Sequence, residues 1–445
     1  MTRTATRVRP LRRALALAAV LTLAPLTACS AGSLGSSDED AAGGTTITWL
    51  TGTDETAQAT AQAIVDAFED ANPDITVELD GRPAGAEGDN LVKTRLQTGS
   101  MPDVFDYNSG SLFQQIAPEK NLAKLTGTDS VAAVDDAYVP QVSVGSDVYG
   151  VPYGTAFGGG VMYNQKVFDQ LGLQVPTTWA EFGTVAEAIK AAGISPVIQT
   201  YGETWTSQLF VLGDFHNVAA AEPTWADDYT ANKAKYATDP AAVAGFQHLQ
   251  EVFDKGWQNP DYASAKVPDG MRMLAAGEGA MYPILSTNIT TLAAASPDQV
   301  DDIGFFALPG TDAASNGLTA WFPNGVFIPA TTEGAQLEAS QKLLAFIASP
   351  DGCDAQSAAS PPTGPYMVEG CELPADVPQV TKDVQAYFDA DKQSPALEFL
   401  SPVKGPNLEQ LCVEVGSGIT SAADAAKSYD QDVEKQAQQL GLEGW

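Results

Sequence analysis

The side chains able to do chemistry here are many carboxylates, two histidines and four cysteines, and their spacing excludes more than it admits. The chain has 445 residues, of which 56 are Asp or Glu, 23 are Lys or Arg and 2 are His. His216 and His248 stand far apart and no Cys-x-x-Cys occurs, so no metal set of the usual spacing is present and neither metal nor cofactor is expected. There is no Gly-x-Ser-x-Gly elbow, no His-Glu-x-x-His, and too few histidines for a triad. A glycan hydrolase working with two carboxylates stays open as an alternative. With 56 acidic residues, however, such pairs arise by number alone and argue for nothing. With Cys29 set aside, Cys353, Cys371 and Cys412 leave one thiol unpaired. Spacing does not fix the pairing; the shortest loop joins Cys353 to Cys371, with Cys371–Cys412 the alternative.

Cys29 has a different context. Arg3, Arg7, Arg9, Arg12 and Arg13 precede an apolar run from Ala14 to Leu26. That run falls short of the ~20 residues a membrane-spanning helix needs. A basic start, a short apolar middle and small residues before a cut predict a secretory signal peptide over 1–28. Leu26-Thr27-Ala28-Cys29 resembles the bacterial lipobox, which implies a lipid on the Cys29 thiol and an extracytoplasmic protein anchored to the outer face of the cytoplasmic membrane. An ordinary secretion signal with a chance Cys is the alternative. Residues 29–44, rich in Ser, Gly and Asp, have the composition of a flexible tether. The chain carries −33. Losing the five arginines of the leader leaves 18 basic against 56 acidic residues, a net −38. Such a surface repels phosphate backbones, so no nucleic-acid partner is expected.

The elements that must position any site read as an α/β fold. Thr46–Leu50 and Ile75–Leu79 alternate as strands. Between them Ala59, Ala63, Ile64, Ala67 and Phe68 recur at helical spacing, and Asn72-Pro73-Asp74 ends that helix. Leu91–Thr98 reads as a helix and Pro102–Asp106 as a short buried strand. Thr178 and Glu181 form a capping-box pair opening a second strand–helix block. About 400 ordered residues exceed what one core usually carries, so two lobes are expected.

The order of these pieces resembles the extracellular solute-binding proteins of ABC importers, in the sugar-binding branch that includes maltose-binding proteins. The residues carrying the likeness are Phe68-Glu69-Asp70-Ala71-Asn72-Pro73-Asp74-Ile75-Thr76-Val77, Thr98-Gly99-Ser100-Met101-Pro102-Asp103-Val104, and Tyr149-Gly150-Val151-Pro152-Tyr153. They continue through Met162-Tyr163-Asn164, Pro176-Thr177-Thr178-Trp179-Ala180-Glu181, Gly277-Glu278-Gly279-Ala280-Met281 and Phe305-Phe306-Ala307-Leu308-Pro309-Gly310. The resemblance implies two lobes of a periplasmic-binding-protein-like fold, closing on ligand by hinge motion. It divides the chain into a first lobe at 45–155, a second at 156–303, a return to the first at 304–370 and mainly second-lobe helices at 371–445. Crossings are expected near Tyr153–Gly158 and near Gly304–Gly310. A phosphate-loop reading of Gly158-Gly159-Gly160 fails for want of a following Gly-Lys-Ser/Thr.

The implied ligand is a sugar, which needs flat aromatic faces and groups that exchange several hydrogen bonds. By the resemblance, Asp106 and Tyr107 at a strand end and Asp54 after the first strand face the ligand. Asp54 reads equally as a helix N-cap. Glu203 and Trp205 align with the family's Glu-x-aromatic pair, and Asn288 follows Met281. No Trp follows Met281, which departs from the maltose-binding pattern. Trp321 and Phe322, adjacent before Gly325, read as a cleft wall. The implied protein is a monomer that binds carbohydrate, docks on membrane permease subunits and touches the bilayer through its acyl anchor. A non-sugar solute is the alternative ligand.

Overall fold

The computed structural model describes residues 44–445. The expected signal peptide, Cys29 and the expected tether up to residue 43 lie outside the described residues. The first lobe opens with β1 (Thr45–Gly52), α1 (Glu55–Ala71), β2 (Ile75–Arg82), α2 (Gly85–Thr98) and β3 (Val104–Tyr107), and reaches β4 (Gly150–Tyr153). The second lobe brings β5 (Phe157–Asn164), α3 (Trp179–Ala191), β6 (Ser195–Val197), α4 (Pro240–Asp254), β7 (Gly279–Leu285), β8 (Ile303–Ala307) and β9 (Leu318–Trp321). Then follow β10 (Asn324–Phe327), α5 (Gly334–Ile347), α6 (Pro350–Ala359), α7 (Gln379–Asp389), β11 (Gln393–Pro395), α8 (Leu408–Gly416) and α9 (Ala422–Leu440).

Apolar spacing explains these elements. Helix α1 buries Ala61, Ile64, Val65 and Phe68, an i, i+3, i+4, i+7 stripe, and Asp54 caps it by accepting the Ala57 N–H at 2.9 Å. Helix α3 starts at the predicted capping box: the Glu181 N–H donates to Thr178 Oγ1, and the Thr178 N–H donates to the Glu181 carboxylate. The first sheet runs β2-β1-β3-β10-β4, with β1 parallel to β2 and β3, and β10 antiparallel to β3 and β4. Its core holds Trp49, Phe68, Phe105, Phe113, Phe327 and Leu343. The second sheet runs β11-β9-β5-β7-β6, with β8 also paired to β5. Successive residues of β5 feed opposite faces: Val161 joins a core with Phe182, Phe246, Trp257 and Tyr429, while Met162 joins one with Met271, Tyr282 and Phe305. Two covered faces explain why β5 reads as a continuous small and apolar run.

The chain passes between the sheets at Gly154–Ala156, between β4 and β5, inside the expected first crossing. The second passage is not near Gly304–Gly310. Strand β8 pairs with β5 through Ala307↔Gly160, and β9 pairs with it through Thr319↔Gly159, so residues 304–321 stay in the second lobe. The return is made by Phe322-Pro323 alone, between β9 and β10. Gly304 is small for packing rather than for hinging, since a Cβ there would lie 2.5 Å from the Tyr163 ring. A third passage, residues 369–378, leads from Val368 in the first core to Val380 in the second lobe. Cys353 of α6 is joined to Cys371 at the start of that passage, with Cα atoms 6.0 Å apart, and Cys412 is free and buried. No helix among the described residues is long and apolar enough to cross a membrane.

Candidate functional site

The parallel strands β1, β2 and β3 end on one side of the first sheet, and each places a polar residue at or next to its end. Thr51 comes from β1, Arg82 from β2, Asp106 from β3, and Tyr153 and Asn324 from the paired ends of β4 and β10. They line a cavity of about 340 Å³ together with Asp54, Asp89 and Asn108. Carboxyl ends of strands beside helix starts are where open α/β sheets hold ligands.

Arg82 and Asp106 form the centre of this cavity. Arg82 Nη2 donates to Asp106 Oδ2 at 2.7 Å, and the two side chains are only 10% and 4% exposed. Burial pushes the Asp106 carboxyl up, while the charge and hydrogen bond of Arg82 pull against it. The pair leaves half of each partner unused. Asp106 Oδ1, Arg82 Nε, Thr51 Oγ1 and the Tyr153 hydroxyl are all buried without a hydrogen-bond partner among the described residues. Thr51 stands close enough to Asp106 and Tyr153 to bias their titration, yet completes a bond with neither. Orphaned buried polar atoms each cost free energy of order ~1–3 kcal/mol. Four of them around one cavity fit a ligand that both donates and accepts.

Beside this polar half lies an aromatic one. A cavity of about 420 Å³ shares Asn108, Leu112 and Asn324 with the first, and is walled by Phe157, Trp321 and Phe322. Trp321 lies nearly parallel to Phe157, at 10° with ring centroids 6.1 Å apart, and its indole N–H donates to the Glu398 carboxylate. It can lie flat there because position 159 is Gly: a Cβ would stand 2.5 Å from the indole. Phe322 packs edge-on against Tyr138, Phe388 and Phe399. The two cavities meet at the passages where the chain changes lobes.

The sequence-predicted residues divide into two groups. Asp54, Asp106, Trp321 and Phe322 border these cavities, with Asp54 also serving as the α1 cap. Tyr107 is fully buried and is not part of the cavity lining; burial and then the neighbouring Asp89 raise its pKa, and its hydroxyl has no hydrogen-bond partner among the described residues. Glu203 and Trp205 sit half-buried at a 3₁₀ turn, Thr204–Gln208, on the second lobe. Asn288 is half-buried, and its amide donates to the Leu285 carbonyl at 3.2 Å. None of these last four lines the two cavities. Arg82, Thr51, Tyr153, Phe157 and Glu398 escaped sequence reasoning as site residues. An Arg closing an otherwise alternating strand, with an Asp at the end of the next parallel strand but one, was the available signal for the pair. Among the described residues no cluster of His, Cys, Asp and Glu is suited to a metal.

Comparison with known proteins agrees with this architecture. A "Multiple sugar-binding protein" of Streptococcus mutans serotype c is 29% identical over 308 residues, covering 67% of this chain and 69% of that one. The apo form of RafE from Streptococcus pneumoniae superposes with a TM-score of 0.74 at 21% identity, over 89% of this chain and 98% of that one. A Bacillus licheniformis sugar transporter in complex with stachyose superposes at 0.64 and 16% identity, over 88% and 100%. Residues 52–352 match the family described as bacterial extracellular solute-binding protein. With two lobes joined at strand ends and two thirds of its length matched, the chain belongs to the bacterial extracellular solute-binding protein family.

Proposed function

We propose that this protein captures a carbohydrate between its two lobes and delivers it to the permease of an ABC importer, held at the membrane by a lipid on Cys29. The observation that carries the reading is the set of orphaned polar atoms around the Arg82–Asp106 pair, next to the Trp321 wall. A sugar hydroxyl donates to Asp106 Oδ1 and accepts from Arg82 Nε. Thr51 and Tyr153 supply further hydroxyl partners, and a sugar C–H face lies on Trp321. Asp54 and Phe322 border the ligand, and Glu203, Trp205 and Asn288 approach it from the second lobe on closure. Closure turns on Gly154–Ala156 and Phe322-Pro323, and expels water from these hydrogen bonds. The sugar binding of the Streptococcus mutans relative and the stachyose held by the Bacillus licheniformis structure support the ligand class.

A thermal-shift screen over mono- and oligosaccharides tests it. A ligand at 100 times its Kd stabilises the folded state by ~2.7 kcal/mol. At ~2 cal/mol/K per residue over ~400 residues, that raises Tm by about 3 °C. Sugar recovered intact after incubation marks a binder; cleaved sugar would mark a hydrolase and overturn the reading. No shift with any sugar would leave the cradle to another solute.

A further inference from the structure

The interlobe space does not end at the aromatic wall. The cavity beside Trp321 shares Ser111, Phe399 and Pro402 with a wider, open cavity of about 480 Å³. The walls of this outer cavity are apolar where the first cavity is polar. Leu400, Leu440 and Leu442 face it, and Lys93, Gln114 and Gln115 form its rim. Four large apolar side chains are exposed among the described residues, and two of them, Leu400 at 42% and Leu440 at 41%, stand here. Leu442 follows the left-handed Gly441 that ends α9 and packs back on the core, which accounts for it. Leu400 and Leu440 have no such local account. Of the polar groups in the lining, the Ser111 hydroxyl donates to the Glu398 carbonyl at 2.5 Å and the Gln114 amide to the Ser143 carbonyl at 2.9 Å, while Lys93 and Gln115 pair at 3.3 Å.

We propose that this outer cavity receives an apolar end group, aryl or acyl, of a glycoside whose sugar occupies the cradle; this rests on the carbohydrate reading above. Phe399 borders both cavities, so a ligand leaving the Trp321 wall passes over its ring onto the leucines. An unsubstituted sugar ring in that position covers little of the apolar surface of Leu400 and Leu440 and gains little there. An aromatic or acyl group gains there instead. Burying ~60 Å² of its apolar surface at ~25 cal/mol per Å² corresponds to about tenfold in affinity. The cavity is concave and continuous with the sugar site, which favours an extension of the same ligand over a separate protein partner.

Calorimetric titration of lactose, melibiose, maltose and cellobiose, each beside its 4-nitrophenyl glycoside, tests the assignment on the protein and on Leu440→Asp. The expected result is a glycoside about tenfold tighter than its parent sugar, with the ratio falling to about one in Leu440→Asp. Leu400→Asp gives the same result from the opposite wall, and a melting curve of each variant checks that it is folded. A sugar that binds with no gain from its nitrophenyl group overturns the assignment, leaves the carbohydrate reading standing, and leaves the leucine patch to a protein partner. A gain that persists in both variants also overturns it, because the group then binds elsewhere. A nitrophenyl glycoside that binds when its parent sugar does not, and is lost in both variants, upholds the assignment while removing the plain sugar as ligand. Binding by neither member of any pair, together with no shift for any sugar of the thermal screen, removes both readings.

Discussion

Replacing Asp106 by Ala removes half of a buried ion pair, and its effect separates stability from binding. The partner left behind is Arg82, whose side chain is 10% exposed and whose one ion-pair partner among the described residues is Asp106, 2.7 Å away. Breaking one side of a buried pair costs ~3–5 kcal/mol, because the remaining charge is uncompensated. Unfolding entropy of ~2.1 cal/mol/K per residue over ~400 residues gives ~0.8 kcal/mol per degree, so Asp106→Ala melts about 4–6 °C below the parent. Removing both charges, as Arg82→Met with Asp106→Leu, restores most of that loss, since a well-packed apolar pair is close to neutral in stability. The double variant nevertheless lacks both charged sugar contacts, each worth ~1.5–3 kcal/mol, so binding falls by more than a hundredfold. Calorimetric melting with titration of the best sugar from the screen reads both quantities. An Asp106→Ala protein that melts within 1 °C of the parent, by about the resolution of such a scan, would refute the buried pair. A double variant that binds sugar like the parent would refute its place in the site.

Further predictions follow from other buried groups. Burial raises the Asp214 carboxyl to about 8, against a hydrogen bond from Asn217 that lowers it. Its unfolded value is ~3.9, so the group costs nothing below pH ~4, and stability is lost as pH rises towards 8, by up to ~5 kcal/mol. Asp214→Asn should therefore gain in Tm over the parent progressively between pH 4 and 8; a constant difference would contradict this. His248 runs the other way: buried against Trp179, it is held neutral with its pKa lowered to about 3. Its stability contribution is present above ~6.5 and lost as pH falls, so His248→Phe should resist acid better than the parent by ~3 kcal/mol at pH 4. Cys353→Ser with Cys371→Ser opens a loop of sequence separation 18 and should lower stability by ~3 kcal/mol in chemical denaturation. Cys29→Ala should move the protein from the membrane to the soluble fraction in detergent partition; unchanged membrane association would contradict lipidation.

Much of the first lobe was legible because its signals are local. Ile64 and Phe68 of the α1 stripe and the stop at Asn72-Pro73 act within a few residues, as does the Thr178–Glu181 capping box in the second lobe; Ala59, read into the stripe, is exposed, and Ala61 takes its place in the core. Helix α2 begins at Gly85, earlier than the Leu91 start read from apolar spacing, because residues 85–90 hold no large apolar side chain to mark it. That stretch carries Asp89, which lines the cavity. The second passage was misread because glycine signals freedom and close packing alike: Gly304 makes room for Tyr163, while the turn is made by Phe322-Pro323. Among the candidate site residues, Asp106 announced itself by type at a strand end and Trp321 as one of two adjacent aromatics before a Gly. Arg82 did not, since what gives it meaning is Asp106, 24 residues away and brought beside it only by the parallel order β2-β1-β3. Glu398 reaches Trp321 from the C-terminal segment, a pairing no local pattern encodes.

A crystal structure of the protein with the tightest sugar from the screen tests the central claim most directly. The sugar is expected between the lobes, with hydroxyls within hydrogen-bond distance of Asp106 Oδ1 and Arg82 Nε and one ring face against Trp321. A sugar bound away from the Arg82–Asp106 pair, with those atoms still unpartnered, would contradict the account.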